Sequence, residues 1–134
     1  MGLIMKKSAQ KPLFEAVFKR LKENIDIPIF DSVPDKIEYP YMVVETVSEQ
    51  ESGDKLRYGS TVAVDIVNFA NTKESKTVKN INDKVVQALN KDLVVAGYDV
   101  LLSVIDNVED GKDDIGIYSG LVTINYTLEE AQDG

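Results

Sequence analysis

Apolar residues recur at helical spacing in two separate parts of the chain, over residues 8–24 and 72–91. In the first part they are Leu13, Val17 and Leu21, and in the second they are Val78, Ile81, Val85 and Leu89. This periodicity predicts two amphipathic helices, the first capped at Ser8 or Lys11 and the second capped at Asn71 with Glu74 in a capping box. Each helix needs another layer on which to bury its apolar face, which restricts the chain to layered folds.

Four segments with strand character accompany the helices, over residues 41–47, 58–68, 98–106 and 117–128. The second segment alternates most regularly, with one face made of Val62, Val64 and Ile66. In the third, alternate residues from Val100 to Val104 are predicted to share a face. Leu101 and Ile105 are predicted to lie on the other, so that both faces are partly covered.

The element order is therefore helix, two strands, helix, two strands. Short connections within each strand pair favour antiparallel hairpins. We expect an α+β domain with a four-stranded, mainly antiparallel sheet and two helices packed on one face (α-β-β-α-β-β). The length of 134 residues fits a single domain. Residues 1–9 and 129–134 are predicted to be flexible ends.

The composition excludes several kinds of chemistry. The chain has no cysteine and no histidine, so it lacks thiolate nucleophiles, sulfur metal ligands and the commonest acid–base group at neutral pH. Its formal net charge of −8 disfavours binding to the phosphate backbone of DNA. No apolar run approaches the roughly 20 residues of a transmembrane helix, so no membrane partner is expected.

The strongest metal candidate is the acidic segment Asp106–Asp114, because carboxylates suit calcium or magnesium. Aligning Gly111 with the glycine of an EF-hand loop puts Val108 and Ile117 where ligands are required. A solvated loop over residues 107–114 is therefore favoured, and no metal or cofactor is expected. The stretch Gly116–Gly120 lacks the spacing of a phosphate cradle and is predicted to lie in a strand, where glycine indicates a bulge or a close backbone approach.

A polar connection of nine residues, 49–57, is predicted between the first two strands. Loops of this length in compact domains are often functional or mobile. Its charged residues are Glu49, Glu51, Asp54, Lys55 and Arg57. General loop behaviour favours a solvent-exposed turn over a functional loop here.

The stretch Tyr39–Glu45 adds a distinctive feature. Pro40 lacks a backbone N–H and restricts Tyr39 to extended geometry, so it is predicted to be the first residue of the strand. The first helix, the extended piece Ile27–Asp31, the proline-led strand and the polar hairpin together resemble the tail completion (tail terminator) proteins of long-tailed bacteriophages, in particular siphophages of Gram-positive hosts. The resemblance covers nearly the whole chain.

The resemblance implies a structural virion protein without chemical turnover, made late in the host cytoplasm. Such a protein caps the tail tube as a hexameric ring and joins the tail to the head connector. Its partners are then the tail tube protein, the head connector (head completion) protein and further copies of itself. DNA passes through the ring without specific binding.

The resemblance also implies a role for the polar hairpin at the ring's interfaces or lumen. The residues to which this role would attach are Glu49, Glu51, Asp54, Lys55 and Arg57.

The alternative is a small soluble enzyme or ligand-binding domain built on the same sheet. It would need polar groups that converge in an apolar pocket. The paired carboxylates Glu49/Glu51 and Asp113/Asp114 are predicted to lie in loops, without apolar surroundings that would raise a pKa. No catalytic residue is therefore assigned.

Overall fold

The computed structural model describes residues 8–52 and 57–132. The two helices are α1 (Gln10–Asn24) and α2 (Lys76–Leu89). The strands are β1 (Ile29–Phe30), β2 (Tyr41–Glu51), β3 (Gly59–Ala70), β4 (Tyr98–Lys112) and β5 (Tyr118–Glu130). The α+β class and the two helices are confirmed.

The strands form one mixed sheet in the order β1-β2-β3-β5-β4. The pairs β2–β3, β3–β5 and β4–β5 are antiparallel, whereas β1 runs parallel to β2. The predicted four-stranded sheet is therefore wrong in one respect, because Ile29–Phe30 adds a fifth strand. Two residues carry too little alternation to indicate a strand from sequence.

Both helices pack side by side on one face of the sheet. α1 lies over β1 and β2, and α2 lies over β3 and β5. The predicted apolar faces are confirmed, since the fully buried side chains include Leu13, Val17, Leu21, Val78, Val85, Val62, Val64 and Ile66. Burying one such side chain contributes about 1.5–3 kcal/mol, so this helix–sheet interface is the main source of stability.

The helices begin at residues other than those predicted. Ala9 is the N-cap of α1 and Ser75 is the N-cap of α2. The capping box predicted at Asn71 is wrong, because α2 begins four residues later, after Ser75. In the segment before it, the hydroxyl of Thr72 donates to the Glu74 carbonyl (2.9 Å). A local side-chain to backbone bond of this kind competes with helix formation.

The hairpin strands extend further than predicted. β2 continues to Glu51, which pairs with Ser60, and β4 continues to Lys112, which pairs with Tyr118. Residues 49–51 and 107–112, predicted to be loop, are therefore strand residues. Likewise, β2 begins at Tyr41 and not at Pro40. Backbone pairing with the other strand of the same hairpin fixes these positions, and local polar composition does not reveal it.

Two irregularities interrupt the alternation of β4, one between Val100 and Leu102 and one just after Ile105. Val100 and Ile105 lie opposite buried residues of β5 and so face the helices, while Leu102 and Val104 face the other way. The predicted common face of Val100, Leu102 and Val104 is therefore wrong. The prediction that both faces of this strand are partly covered is also wrong, since residues 101–112 are exposed.

The chain ends are described in part. β5 runs to Glu130, so residues 129 and 130 belong to the sheet. Ser8 and Ala9 contact β2 through hydrogen bonds. The rest of the predicted flexible ends, residues 1–7 and 133–134, lies outside the described residues.

Candidate functional site

Glu49 joins the base of the β2–β3 hairpin to the start of α1. It lies opposite Val62, on the helix-facing side of β2. Its carboxylate accepts hydrogen bonds from the Ser8 hydroxyl (2.7 Å), the Ala9 N–H (3.0 Å) and the Tyr58 hydroxyl (2.6 Å). Because Ala9 is the N-cap, the carboxylate also lies at the positive end of the α1 dipole.

This network shifts the ionisation of two groups. Partial burial acts to raise the pKa of Glu49, but the hydrogen bonds from Ala9, Ser8 and Tyr58 outweigh it and lower the pKa. Burial, followed by the hydrogen bond to Glu49, raises the pKa of Tyr58 to about 12. At neutral pH Glu49 is therefore an ionised acceptor and Tyr58 a protonated donor, which makes their hydrogen bond charge-assisted.

Further contacts fix the base of the hairpin. The Thr46 hydroxyl donates to Gln10 Oε1 of α1 (3.0 Å). Arg57 forms an ion pair with Glu129 of β5 (2.7 Å). The ring of Tyr58 meets that of Tyr98, the first residue of β4, edge to face at 6.4 Å. The base is thus held by α1, β4 and β5 together.

The five hairpin residues predicted from the sequence have different environments. Glu49 and Arg57 make internal contacts at the hairpin base. Glu51 is exposed at the end of β2. Asp54 and Lys55 lie outside the described residues. The anchoring role of Glu49 has no local sequence signal, because its contact with Ser8 spans 41 residues of chain.

A second polar cluster, which the sequence analysis missed, joins α2 to the sheet. Asn68 of β3 donates to Asn82 of α2 (2.9 Å), and Asn82 donates to the Glu109 carbonyl of β4 (3.0 Å). Both asparagines are buried. Gly120 makes room for them, since a Cβ there would lie 2.6 Å from Asn68 Nδ2 and from Asn82 Oδ1. Of the two predicted alternatives for glycine in this stretch, Gly120 shows the close approach, whereas Gly116 lies in the turn before β5 with a φ of 92° and not in a strand.

The acidic segment Asp106–Asp114 extends along β4 and its turn instead of converging. Asp110 pairs with Lys79 Nζ of α2 (2.6 Å). Asp113 Oδ1 accepts the backbone N–H groups of Ile115 (3.0 Å) and Ile117 (2.8 Å). Within residues 8–52 and 57–132, no group of three or more carboxylates could hold a metal ion.

An open cleft of about 530 Å³ lies between α1 and α2. Its lining residues are Arg20, Asn24, Lys84, Gln87, Ala88, Asn90 and Lys91. The Arg20 guanidinium donates to the carbonyls of Ala88 (3.0 Å) and Asp92 (2.8 Å) at the end of α2. Among the residues that the structure describes, no carboxylate lines this cleft.

The described part of the chain contains no helix that is long and apolar enough to cross a membrane.

One comparison with known proteins identifies a family, and a second identifies a similar fold. The family model of tail completion protein gp17 matches residues 15–129. A solved chain from the virion of a native gene transfer agent (GTA) particle is similar in fold, with a TM-score of 0.74 and 17% sequence identity. That match covers 87% of this chain and 94% of the other. No curated protein sequence matches. The chain therefore belongs to the tail completion protein gp17 family and is a structural protein of the phage virion tail.

Proposed function

We propose that this chain closes as a ring on the end of the tail tube, stops polymerisation of the tube and joins the tail to the head connector. The observation that carries the proposal is the family match over residues 15–129, which includes most of α1 and nearly all of the sheet. The mechanism consists of interface chemistry, with no chemical turnover. Its partners are the tail tube protein, the head connector protein and further copies of the chain.

A ring forms when each copy uses one surface to contact a different surface of the next copy and the rotation closes. We expect a hexamer, as the family resemblance implies. Ring closure on a tube end removes the surface to which another tube subunit would add, which explains how a structural protein ends polymerisation.

We propose that the β2–β3 hairpin provides contacts at the ring's interfaces or lumen. Glu51 lies exposed where β2 ends, and Asp54 and Lys55 follow it in the connection. Glu49 and Arg57 fix the hairpin base, so they contribute to such contacts by holding the hairpin in one orientation. A fixed base reduces the entropy that is lost when the hairpin binds a partner.

We also propose that DNA passes the ring without binding to it. Phosphate neutralisation by Lys and Arg supplies nearly all non-specific affinity for duplex DNA. The chain has 23 Asp and Glu residues against 15 Lys and Arg residues, a formal net charge of −8. A channel wall with this charge repels the phosphates.

Phage assembled without this protein test the proposal. We expect tails of abnormal length or tails without heads in electron micrographs, because the tube end is left uncapped. Adding purified protein to an extract of such particles should restore head joining. Tails of normal length that are joined to heads in the absence of the protein would contradict the proposal.

A further inference from the structure

β4 lies at one edge of the sheet and is poorly covered. Leu102 (56%) and Val104 (45%) are exposed on the face turned away from the helices, Ile105 (40%) and Val108 (48%) on the helix-facing side, and Leu101 (58%) at an irregularity of the strand. Exposed apolar residues in such a cluster mark an interaction surface, and a strand of 15 residues at a sheet edge is an unusually long one. β4 therefore has the features of an interaction surface.

The opposite side of the molecule presents one flank of α1. Arg20 contacts the end of α2, so helical geometry places Phe14, Phe18 and Lys22 on the flank turned away from α2. The rings of Phe14 and Phe18 are 5.4 Å apart, and Lys22 Nζ lies 5.3 Å from the Phe18 ring. Both phenylalanines are only partly buried. Lys11 lies on the same flank, together with one carboxylate, Glu15.

Charge is divided between the two layers of the fold. α1 and α2 carry seven Lys or Arg residues and three Asp or Glu residues. The strands carry ten Asp or Glu residues and one lysine. Four of those carboxylates are in β4, at Asp99, Asp106, Glu109 and Asp110. An acidic, apolar strand therefore occupies one side of the chain, and an apolar helix flank with lysines occupies the other.

Pairing of β4 with the opposite sheet edge of another copy is disfavoured. β1 pairs only with Met42 and Val43, so the rest of β2 forms that edge. β2 carries Glu45, Glu49 and Glu51, and like charges on adjacent strands repel. The two irregularities in β4 also disrupt the regular backbone ladder that an added strand requires. Packing of β4 side chains against a helix avoids the repulsion between acidic strands and needs no regular backbone ladder.

We propose that β4 of one copy packs against the outer flank of α1 of a second copy. In this contact the apolar residues Leu102 and Val104 cover Phe14 and Phe18, and the carboxylates Asp106 and Glu109 face Lys11 and Lys22. The two surfaces lie on opposite sides of the chain, so the contact is head-to-tail and repeats from copy to copy. The inference rests on the proposed ring and assigns its subunit interface.

Cysteine cross-linking tests the contact directly, because the chain has no cysteine of its own. Protein with Val104→Cys is mixed with protein carrying Glu15→Cys, added to tails that lack the protein and treated with a short bismaleimide. We expect a covalent dimer that contains both variants. The matched control replaces Glu15→Cys with Asp83→Cys on the exposed face of α2 and should give severalfold less dimer.

Charge reversal provides a second test. Lys11→Glu with Lys22→Glu should reduce ring assembly on tails severalfold, and Asp106→Lys with Glu109→Lys should do the same. A mixture of the two doubly substituted proteins should recover assembly, since in a ring where the two variants alternate every β4–α1 contact joins surfaces of opposite charge. Circular dichroism confirms that each variant is folded.

The outcomes separate the interface from the function. Tails that are capped normally but show equal cross-linking for Glu15→Cys and Asp83→Cys would overturn the interface and leave the capping role intact. Specific Val104–Glu15 cross-links in rings that do not occupy tail ends would support the interface and contradict the capping role. Charge-reversed proteins that assemble as well as the wild type would also overturn the interface.

Discussion

Glu49 and Tyr58 are joined by a hydrogen bond of 2.6 Å across the base of the β2–β3 hairpin. The same carboxylate accepts the Ala9 N–H at the start of α1. One side chain therefore couples the orientation of the hairpin to the position of the helix. If the hairpin contacts the tube or the head, this coupling sets where it points.

Glu49→Gln should lower the free energy of unfolding by about 1–2 kcal/mol, because hydrogen bonds to a charged acceptor are stronger than those to a neutral one. The measurement is thermal or urea unfolding followed by circular dichroism at neutral pH. Glu51→Gln is the matched control, since Glu51 is exposed on the same strand and its substitution should change stability by less than about 0.5 kcal/mol. Equal effects of the two substitutions would show that the Glu49 network does not stabilise the fold.

The contribution of Glu49 should also depend on pH. Its pKa in the folded state is lower than its ordinary value of 4.5. Its stabilising effect is therefore fully present above the unfolded-state pKa and is lost as the pH falls through the folded-state pKa. Urea unfolding of the wild type and of Glu49→Gln should give curves that converge in acid. A difference that stays constant from neutral pH to strong acid would contradict the assignment.

Gly120→Ala should destabilise the domain by about 1–3 kcal/mol, because the new Cβ displaces the hydrogen-bonded pair Asn68 and Asn82. Gly111→Ala in β4 is the control, since a Cβ there meets nothing within 4 Å. That change should be neutral or slightly stabilising, because glycine loses more backbone entropy on folding than alanine does. Urea unfolding gives the stability of each variant. An equal loss of stability in both would show that the space at Gly120 is unimportant.

Val85→Asp should unfold the domain. Val85 is fully buried between α2 and the sheet, and an unpaired charge there costs several kcal/mol, which is comparable to the whole stability of a domain. Lys84→Asp, at the neighbouring exposed position, should leave the protein folded. Circular dichroism and gel filtration report the result, and a folded Val85→Asp protein would show that this helix face is not in the core.

Glu51→Lys combined with Asp54→Lys should slow the exit of DNA from assembled particles if the hairpin lines the channel. Passing phosphates would then meet attractive charges, and the effect should weaken at high salt. The ejection rate is measured at low and high salt. An unchanged rate at both would place these residues away from the channel.

Local patterns predicted much of the fold. The helix faces around Val17 and Val85 and the alternation of Val62, Val64 and Ile66 depend only on residues near one another in sequence. β1 could not be predicted, because a strand of two residues is too short to show an alternation of apolar and polar side chains. The full lengths of β2 and β4 depend on pairing with other strands, which polar residues such as Asp110 conceal.

The candidate site was less predictable for the same physical reason. The hairpin was identified by its charge and by the family resemblance, but the role of Glu49 depends on Ser8 and Ala9, about forty residues away. The Asn68–Asn82 pair is likewise a contact between a strand and a helix that no motif connects. Tertiary contacts determine which polar residues connect one secondary-structure element to another.

A cryo-electron microscopy reconstruction of the head–tail junction in assembled particles would show whether this chain closes as a ring at the end of the tail. We predict a closed ring of this chain between the end of the tail tube and the head connector, with Val104 of each copy next to the α1 flank of its neighbour. A junction that lacks this chain, or a chain located elsewhere in the tail, would contradict the account.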